Sequence, residues 1–381
     1  MRSLVALFAI GFATFLGLYV TQPLLPDFRK VFDASELLVS LTVSAPVLAV
    51  ALTSPVAGLV SDAVGRKRLI VPAMLGLALF TGLAAASFTL QQLIGWRFLQ
   101  GLFLAGIPSA AIAYISEESP ARLVGSTMAT YVTGGVIGGF AGRFIAGVTA
   151  AHLGWRWPFV ILGALTCAGA LLVWWFLPHS ARFVRQHNLI RTLRPMGRHF
   201  RNKRLIATWA VGFNVLFSLV GAFTYMNFYL ADSPFCLGPA ALASIFTVYL
   251  IGAAITIPAG RVMDRIGHRK ALMGAVAVSA IGMMLTLVHS VPVIIAGLTL
   301  EAAGVFTCQA AASSHVGAVA REARSSAAGL YISFYYLGGF AGAILPGLLW
   351  GRAGWTGCVV MTLCMQAVAI AIAAMWWKER E

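Results

Sequence analysis

Charge is nearly absent from twelve long stretches of this chain. Uncharged, apolar runs occupy 4–26, 37–61, 69–96, 98–116, 123–142, 157–178, 205–231, 233–260, 271–300, 302–320, 325–351 and 353–377. A helix needs about 20 apolar residues to cross a bilayer, so each run predicts one spanning helix. The short alternating segments of a membrane β-barrel are absent. Turns at Ser87-Phe88-Thr89 and at His289-Ser290-Val291-Pro292 bring the chain back between neighbouring runs. The first run is too long for the apolar region of a cleaved signal and is read as the first spanning helix, with almost no tail before it. An even number of spans puts both termini on one side.

The pattern repeats itself. Gly58 to Arg68 reads GLVSDAVGRKR and Gly260 to Lys270 reads GRVMDRIGHRK, an offset of 202 residues. Both fit Gly-x-x-x-Asp-x-x-Gly-x-[Arg/Lys]-[Arg/Lys], through Gly58, Asp62, Gly65, Lys67 and Arg68 in one copy and Gly260, Asp264, Gly267, Arg269 and Lys270 in the other. Gly138-Gly-Phe-Ala-Gly142 returns 200 residues later as Gly338-Gly-Phe-Ala-Gly342, and Gly154-Trp155 as Gly354-Trp355. Echoes at nearly one offset mean a duplicated half. The expected organisation is a six-helix bundle at 1–178, a basic connector at 179–204 and a second six-helix bundle at 205–381, an all-α membrane protein.

Composition agrees with this reading. Of 381 residues 60% are hydrophobic and 10% charged, against about 25% charged in a soluble domain. The net charge of +15 would suit a nucleic-acid partner only if it formed a patch. Instead the basic residues sit between apolar runs. With the N-terminus inside, 21 Lys and Arg face the cytoplasm and 4 (Arg29, Lys30, Arg156 and Arg352) face out, as the positive-inside rule requires. Eight of the 21 (Arg182, Arg185, Arg191, Arg194, Arg198, Arg201, Lys203 and Arg204) lie in the connector, interleaved with Phe183, Leu189, Ile190, Leu193, Met196 and Phe200. Such a segment tends to lie along an anionic membrane surface; as a solvated connector it needs no further role. The five cysteines are scattered without metal-ligand spacing. No nucleotide-binding loop is present, and no cofactor, metal or nucleic acid is expected.

Two six-helix halves in parallel order, a basic connector and the loop motif after the second helix resemble the major facilitator superfamily over the whole chain. Arg97-Phe-Leu-Gln100-Gly101 matches the family's R-x-x-Q-G, and Tyr19-Val-Thr-Gln22-Pro23-Leu-Leu-Pro26 is similar to the YnfM-like branch, near the drug:proton antiporters. The fifth run keeps the glycines of the antiporter motif (Gly134, Gly135, Gly138, Gly139, Gly142, Gly147) but lacks its Gly-Pro. Small residues at this spacing let helix backbones touch. The resemblance implies alternating access around a central site, with a cytoplasmic gate of Gly58, Asp62, Gly65, Arg66, Arg68, Glu117, Asp264, Gly267, Arg269 and Lys270. Asp62 and Arg66 would face the eleventh helix near Ser325, and Asp264 and Arg269 the fifth near Gly125. Glu117 and Glu118 are further partners for Arg66 and Arg68, and Glu322 for Arg269. Alternatively the motif is only a tight turn and a topology signal.

An ionisable group within a span costs at least about 2.5–3.5 kcal/mol and is a functional candidate by default. Glu301 lies nine residues inward from Pro292, about 14 Å at 1.5 Å per residue, and is the carboxylate expected to carry a coupling proton. Arg97 is its expected charge partner or a substrate clamp, and Arg143 is expected to pair with Asp27. Tyr19, Gln22, Gln100, Asn214, Tyr225, Asn227, Gln309, Tyr335 and Tyr336 are cavity candidates. The expectation is a monomeric secondary transporter of the bacterial inner membrane, both termini cytoplasmic, moving a small-molecule substrate outward in exchange for protons. Proton-coupled uptake or facilitated exchange is the nearest alternative. A membrane-embedded enzyme or channel is remote, because no nucleophile stands with His or paired acids at one depth.

Overall fold

A computed structural model describes residues 2–178, 180, 199–319 and 324–377, and among these every regular element is a helix. The first six long helices are α1 (Arg2–Leu16), α2 (Glu36–Val64), α3 (Arg66–Ala84), α4 (Leu90–Leu104 continued by Gly106–Glu118), α5 (Val124–Leu153) and α6 (Trp157–Phe176). The second six are α7 (Lys203–Ala231), α8 (Pro239–Ile245 continued by Val248–Ile266), α9 (His268–Leu285), α10 (Val291–Val319), and α11 and α12, which share the stretch Arg324–Trp376 and are divided at Gly354. Among the described residues the fold is all-helical with twelve long helices, as the uncharged runs predict. Most of the basic connector lies outside the described residues, as do Arg321, Glu322, Lys378 and Arg380.

Two compact units result, one of residues 1–189 with Gly238–Ser244, the other of 190–237 with 245–381. Within the first, α1 packs on α5, α2 on α4 and α3 on α6; within the second, α7 packs on α11, and α8 and α9 on α10. The glycine echo explains the first of these pairings in each unit. A Cβ on Gly134, Gly138 or Gly142 would run into the backbone of Phe8, Phe12 or Leu16 on α1, and one on Gly338 or Gly342 into Phe213 or Phe217 on α7. With lipid outside there is no hydrophobic drive pressing helices together, so van der Waals contact at this range holds the pair. The Gly-Trp echo also serves both units. Trp155 meets Phe28 and Phe32 edge-on, and Trp355 stacks on Tyr229 with centroids 5.4 Å apart.

One expectation is corrected. The run 4–26 is not a single helix: α1 stops at Leu16, turns follow, and Gln22–Leu24 and Leu25–Val31 form a 3-10 turn and a short helix. Pro23 and Pro26 keep an α-helix from running on through the end of the run, because neither has an N–H to give to the carbonyl four residues back, that of Tyr19 or of Gln22. The backbone tightens instead, with Gln22 N–H on Tyr19 O and Leu24 N–H on Thr21 O, 3.1 and 3.0 Å. The α-pattern therefore ends with carbonyls released near mid-chain of the span.

Replacing Gly142 by Val puts a side chain against the Leu16 carbonyl and is expected to cost about 1–3 kcal/mol by overpacking. Gly95, whose Cβ would meet nothing within 4 Å, serves as control. The thermal unfolding midpoint in detergent should fall for Gly142→Val and hold for Gly95→Ala; equal midpoints would remove the α1–α5 seam as a stabilising contact.

Candidate functional site

The repeated loop is built around one backbone requirement. Gly65 and Gly267 have φ of +104° and +84°, a region open to glycine and costly for other residues, and each closes one helix and opens the next. The turn delivers the following side chain inward. Arg66 is buried and binds Glu117 at the C-terminal end of α4 through two nitrogens, at 3.1 and 2.5 Å, while a third donates to Ser61 Oγ at 2.7 Å. The fork-on-carboxylate geometry is the strong form of ion pair. Glu117, one of the partners expected for Arg66, is in contact with it, in the same unit.

The second copy carries His268 in place of Arg66. Its Nε2 lies 2.8 Å from Ser314 Oγ on α10, and its ring faces His315, which stacks on Trp377 with centroids 4.0 Å apart. Arg269 donates to the Ala374 carbonyl of α12 at 2.9 Å. Arg68 and Lys270 are exposed. The side chains of Asp62, Asp264 and Ser325 lie outside the described set, with Glu322.

Arg97 has no exposure at all, and the α1 break explains why it is there. Its guanidinium donates to the carbonyls of Gly17, Leu18 and Thr42 and to Gln100 Oε1. Gly17 and Leu18 are the residues at which α1 has lost its pattern. Backbone carbonyls inside a bilayer need internal donors, and Arg97 supplies them. Gln100 passes the network on to Thr81 Oγ1 of α3, 2.7 Å away. Four of the five guanidinium N–H groups of Arg97 are thus taken up within unit 1.

Arg143 reaches the same break from α5. Its Nε donates to Gln22 Oε1 at 2.8 Å, Nη1 to Gly139 O at 2.6 Å, and the guanidinium lies 4.7 Å above the Tyr19 ring. The structure thus joins Arg143, Gln22 and Tyr19, three sequence candidates, and separates them from Asp27. The expected Arg143–Asp27 pair is not made. Asp27 stands in the short helix Leu25–Val31, outside the spans, beside the Arg29–Glu36 ion pair of 2.9 Å. Burial lifts its carboxyl above the usual aspartate value, with Lys30 opposing.

Glu301 is fully buried in α10. Ser279 of α9 donates its hydroxyl to Oε2, and Gln366 of α12 donates Nε2 to Oε2 at 3.2 Å and to Ser279 Oγ at 2.7 Å. Oε1 has no partner. The offset from Gln100 to Glu301 is 201 residues, between the 202 and 200 of the flanking echoes. Both side chains reach a hydroxyl on the third helix of their unit, Thr81 or Ser279. Glu301 stands where the first half has an amide.

Beside this cluster Asn214, Ser218, Ser279 and Gln366 line a small cavity. The remaining candidates serve packing and local bonding. Tyr225 donates to the Ala343 carbonyl at 2.9 Å, Asn227 to Phe223 O of its own helix at 2.7 Å, and Gln309 accepts from Tyr331 at 2.8 Å. The rings of Tyr335 and Tyr336 meet edge-on. Ser279, Gln366, Thr81 and Tyr331 escaped the sequence reading. Gln366 alone had left a trace, as the lone carboxamide in the run 353–377. Among the described residues no three His, Cys, Asp or Glu gather to hold a metal.

Comparison with known proteins gives a consistent result. The sequence profile of the Major Facilitator Superfamily matches residues 7–235 and 232–381. The chain is 32% identical over 366 residues to the uncharacterized MFS-type transporter YybF of Bacillus subtilis (strain 168), covering 96% of this chain and 91% of that one. It is 33% identical over 378 residues to the inner membrane transport protein YnfM of Escherichia coli (strain K12), covering 98% and 89%. Multidrug resistance protein 2 of Bacillus subtilis (strain 168) is 26% identical over 353 residues, covering 89% and 86%. In structure the chain is similar to the nucleoside transporter NupG (D323A mutant), with a TM-score of 0.81 at 14% identity and 99% of each chain covered.

The loop geometry makes a prediction. Glu117→Gln leaves the buried Arg66 guanidinium without its carboxylate and should cost about 1–3 kcal/mol. His268→Ala removes one hydrogen bond, worth about 0.5–1.5 kcal/mol. Thermal unfolding in detergent should show the larger drop for Glu117→Gln; the reverse order would contradict an ion pair that anchors the first loop.

Proposed function

The chain belongs to the major facilitator superfamily, and from that premise we propose that it exports a small organic compound across the bacterial inner membrane in exchange for protons. The observation that carries the coupling is Glu301. A carboxylate with zero exposure, held on one oxygen by Ser279 and Gln366 and open on the other, has no cationic partner among the described residues of its unit. A buried charge is either paired or neutralised by a proton. Glu301 therefore takes up a proton in one stage of the cycle and gives it up in another, and alternating access links the two stages to substrate movement. Outward direction is supported by the likeness to multidrug resistance protein 2. The excess of Lys and Arg in the loops assigned to the inside supports cytoplasmic termini. The working form is a monomer.

Arg66 with Glu117, and His268 with Ser314, hold the two copies of the cytoplasmic loop against the fourth helix of their own halves. In this reading they are elements of the gate that closes the cytoplasmic side. Arg97 is scaffold: it keeps the broken first helix in place beside Arg143 and Tyr19.

Glu301→Gln tests the assignment with little structural disturbance, since glutamine is what the first half carries at the equivalent position. Inside-out vesicles would be loaded against a panel of candidate compounds, with and without an imposed pH gradient. The variant should lose transport driven by the gradient by at least tenfold while retaining exchange of substrate against substrate. Gradient dependence equal to wild type would remove Glu301 as the coupling site.

A further inference from the structure

The two halves hold one arrangement with its hydroxyl in two positions. In the first, Gln100 Nε2 donates to Thr81 Oγ1 at 2.7 Å, and the threonine hydroxyl donates in turn to the Leu77 carbonyl of its own helix at 2.6 Å. That carbonyl, one turn back, is a habitual partner of a serine or threonine inside a helix. In the second half Glu301 stands at the place of Gln100 and Ser279 at that of Thr81. Here the hydroxyl has left its own helix and donates to Glu301 Oε2, while its oxygen accepts from Gln366 Nε2 at 2.7 Å. The difference has a physical cause. Gln100 offers Thr81 an N–H, so the threonine hydrogen must point elsewhere; a carboxylate offers only lone pairs, so the serine hydrogen points at it.

We infer that Ser279 is a positioning residue with two settings: it donates to Glu301 Oε2 when the carboxylate is charged, and turns to the Ala275 carbonyl of its own helix when Oε2 carries the coupling proton. The inference rests on Glu301 as the coupling carboxylate and adds which oxygen takes the proton and which side chain answers. A proton on Oε2 makes that atom a donor, as Gln100 Nε2 is, and two hydrogens cannot share the line between it and Oγ. The serine oxygen then accepts from Oε2, its hydrogen goes to Ala275, four residues back, and the second half takes up the arrangement of the first. One O–H bond forms and none breaks, and these hydrogens have acceptors in both settings. Oε1, which has no hydrogen-bond partner, becomes the carbonyl oxygen of a neutral acid, where an unfilled lone pair costs far less than on a buried charge.

Neither setting draws on a charged neighbour. The helices α9 and α12 meet Glu301 with Ser279 and Gln366, which do not titrate, and among the described residues α7 and α8 bring no charged group to it. The titratable group that feels its charge is the Cys308 thiol of α10 itself, which donates to the Leu272 carbonyl.

Infrared difference spectra of the full-length protein in detergent and heavy water, taken between low and high pH, test this. Wild type should show an acid O–D band at a hydrogen-bonded frequency, absent from Glu301→Gln. In Ser279→Ala the carboxylate loses a charge-assisted bond and the acid a neutral one about half as strong. The midpoint of the Glu301 band should therefore rise by about one pH unit, a gain of about tenfold in proton affinity, and the O–D band should shift towards the free-acid frequency. Ser279→Thr, which carries the hydroxyl of the first half, should keep both at wild-type values. A wild-type O–D band already at the free-acid frequency would overturn the turning hydroxyl. An unmoved midpoint and band in Ser279→Ala would remove Ser279 as the positioning residue. No Glu301-dependent band at any pH would instead refute the coupling assignment itself.

Discussion

A polar group inside a lipid-facing bundle has no water to fall back on, and this governs the arrangement of the whole protein. The first helix shows the constraint most directly. Its α-pattern ends at Leu16, within the run, and a fully buried arginine from the fourth helix donates to the carbonyls of Gly17 and Leu18 that follow. That arginine in turn holds Gln100, and Gln100 holds Thr81, so one local defect organises four helices. The same rule, run in reverse, marks Glu301. Among the buried side-chain atoms left without a partner, the Glu301 oxygen is the one on a carboxylate, and it marks a place where something comes and goes.

The duplicated halves obey one packing scheme and differ in their chemistry. The glycine seams on α1 and α7 are alike because each depends only on backbone meeting backbone. The loops diverge: a buried ion pair secures the first, a histidine–serine bond the second. The interiors diverge further. Arg97 and Gln100 make the first a satisfied scaffold, while Glu301 leaves the second short of a donor. Architecture is shared between the halves and the titratable chemistry is not.

Much of this was legible from the order of residues. Twelve uncharged runs gave twelve helices, the glycine echoes gave the seams, and Glu117 was within reach of Arg66 by its place at the end of the fourth run. The partners of buried side chains were harder to read. Arg97 and Glu301 looked like a natural pair because opposite charges at one depth attract, yet Arg97 is met by carbonyls and an amide of its own unit, and Glu301 is met on one oxygen only, by Ser279 and Gln366. Carbonyls released at Gly17 and Leu18 carry no sequence label, so the demand that Arg97 meets was invisible. Ser279 is one small residue among many, and its role depends on which face of α9 turns towards α10. Asp27 was paired with Arg143 by charge alone, whereas Gln22 lies closer by way of the turn that the prolines impose.

The correspondence between Gln100 and Glu301 has a consequence at the level of the gene. A change of the first base alone turns any glutamine codon into a glutamate codon, so one nucleotide change suffices to convert either residue into the other. The amide and the protonated acid also have nearly the same shape. A bundle built to hold the one accepts the other without repacking, and a proton-binding group can enter or leave such a half in one mutational step, with the helices around it unchanged.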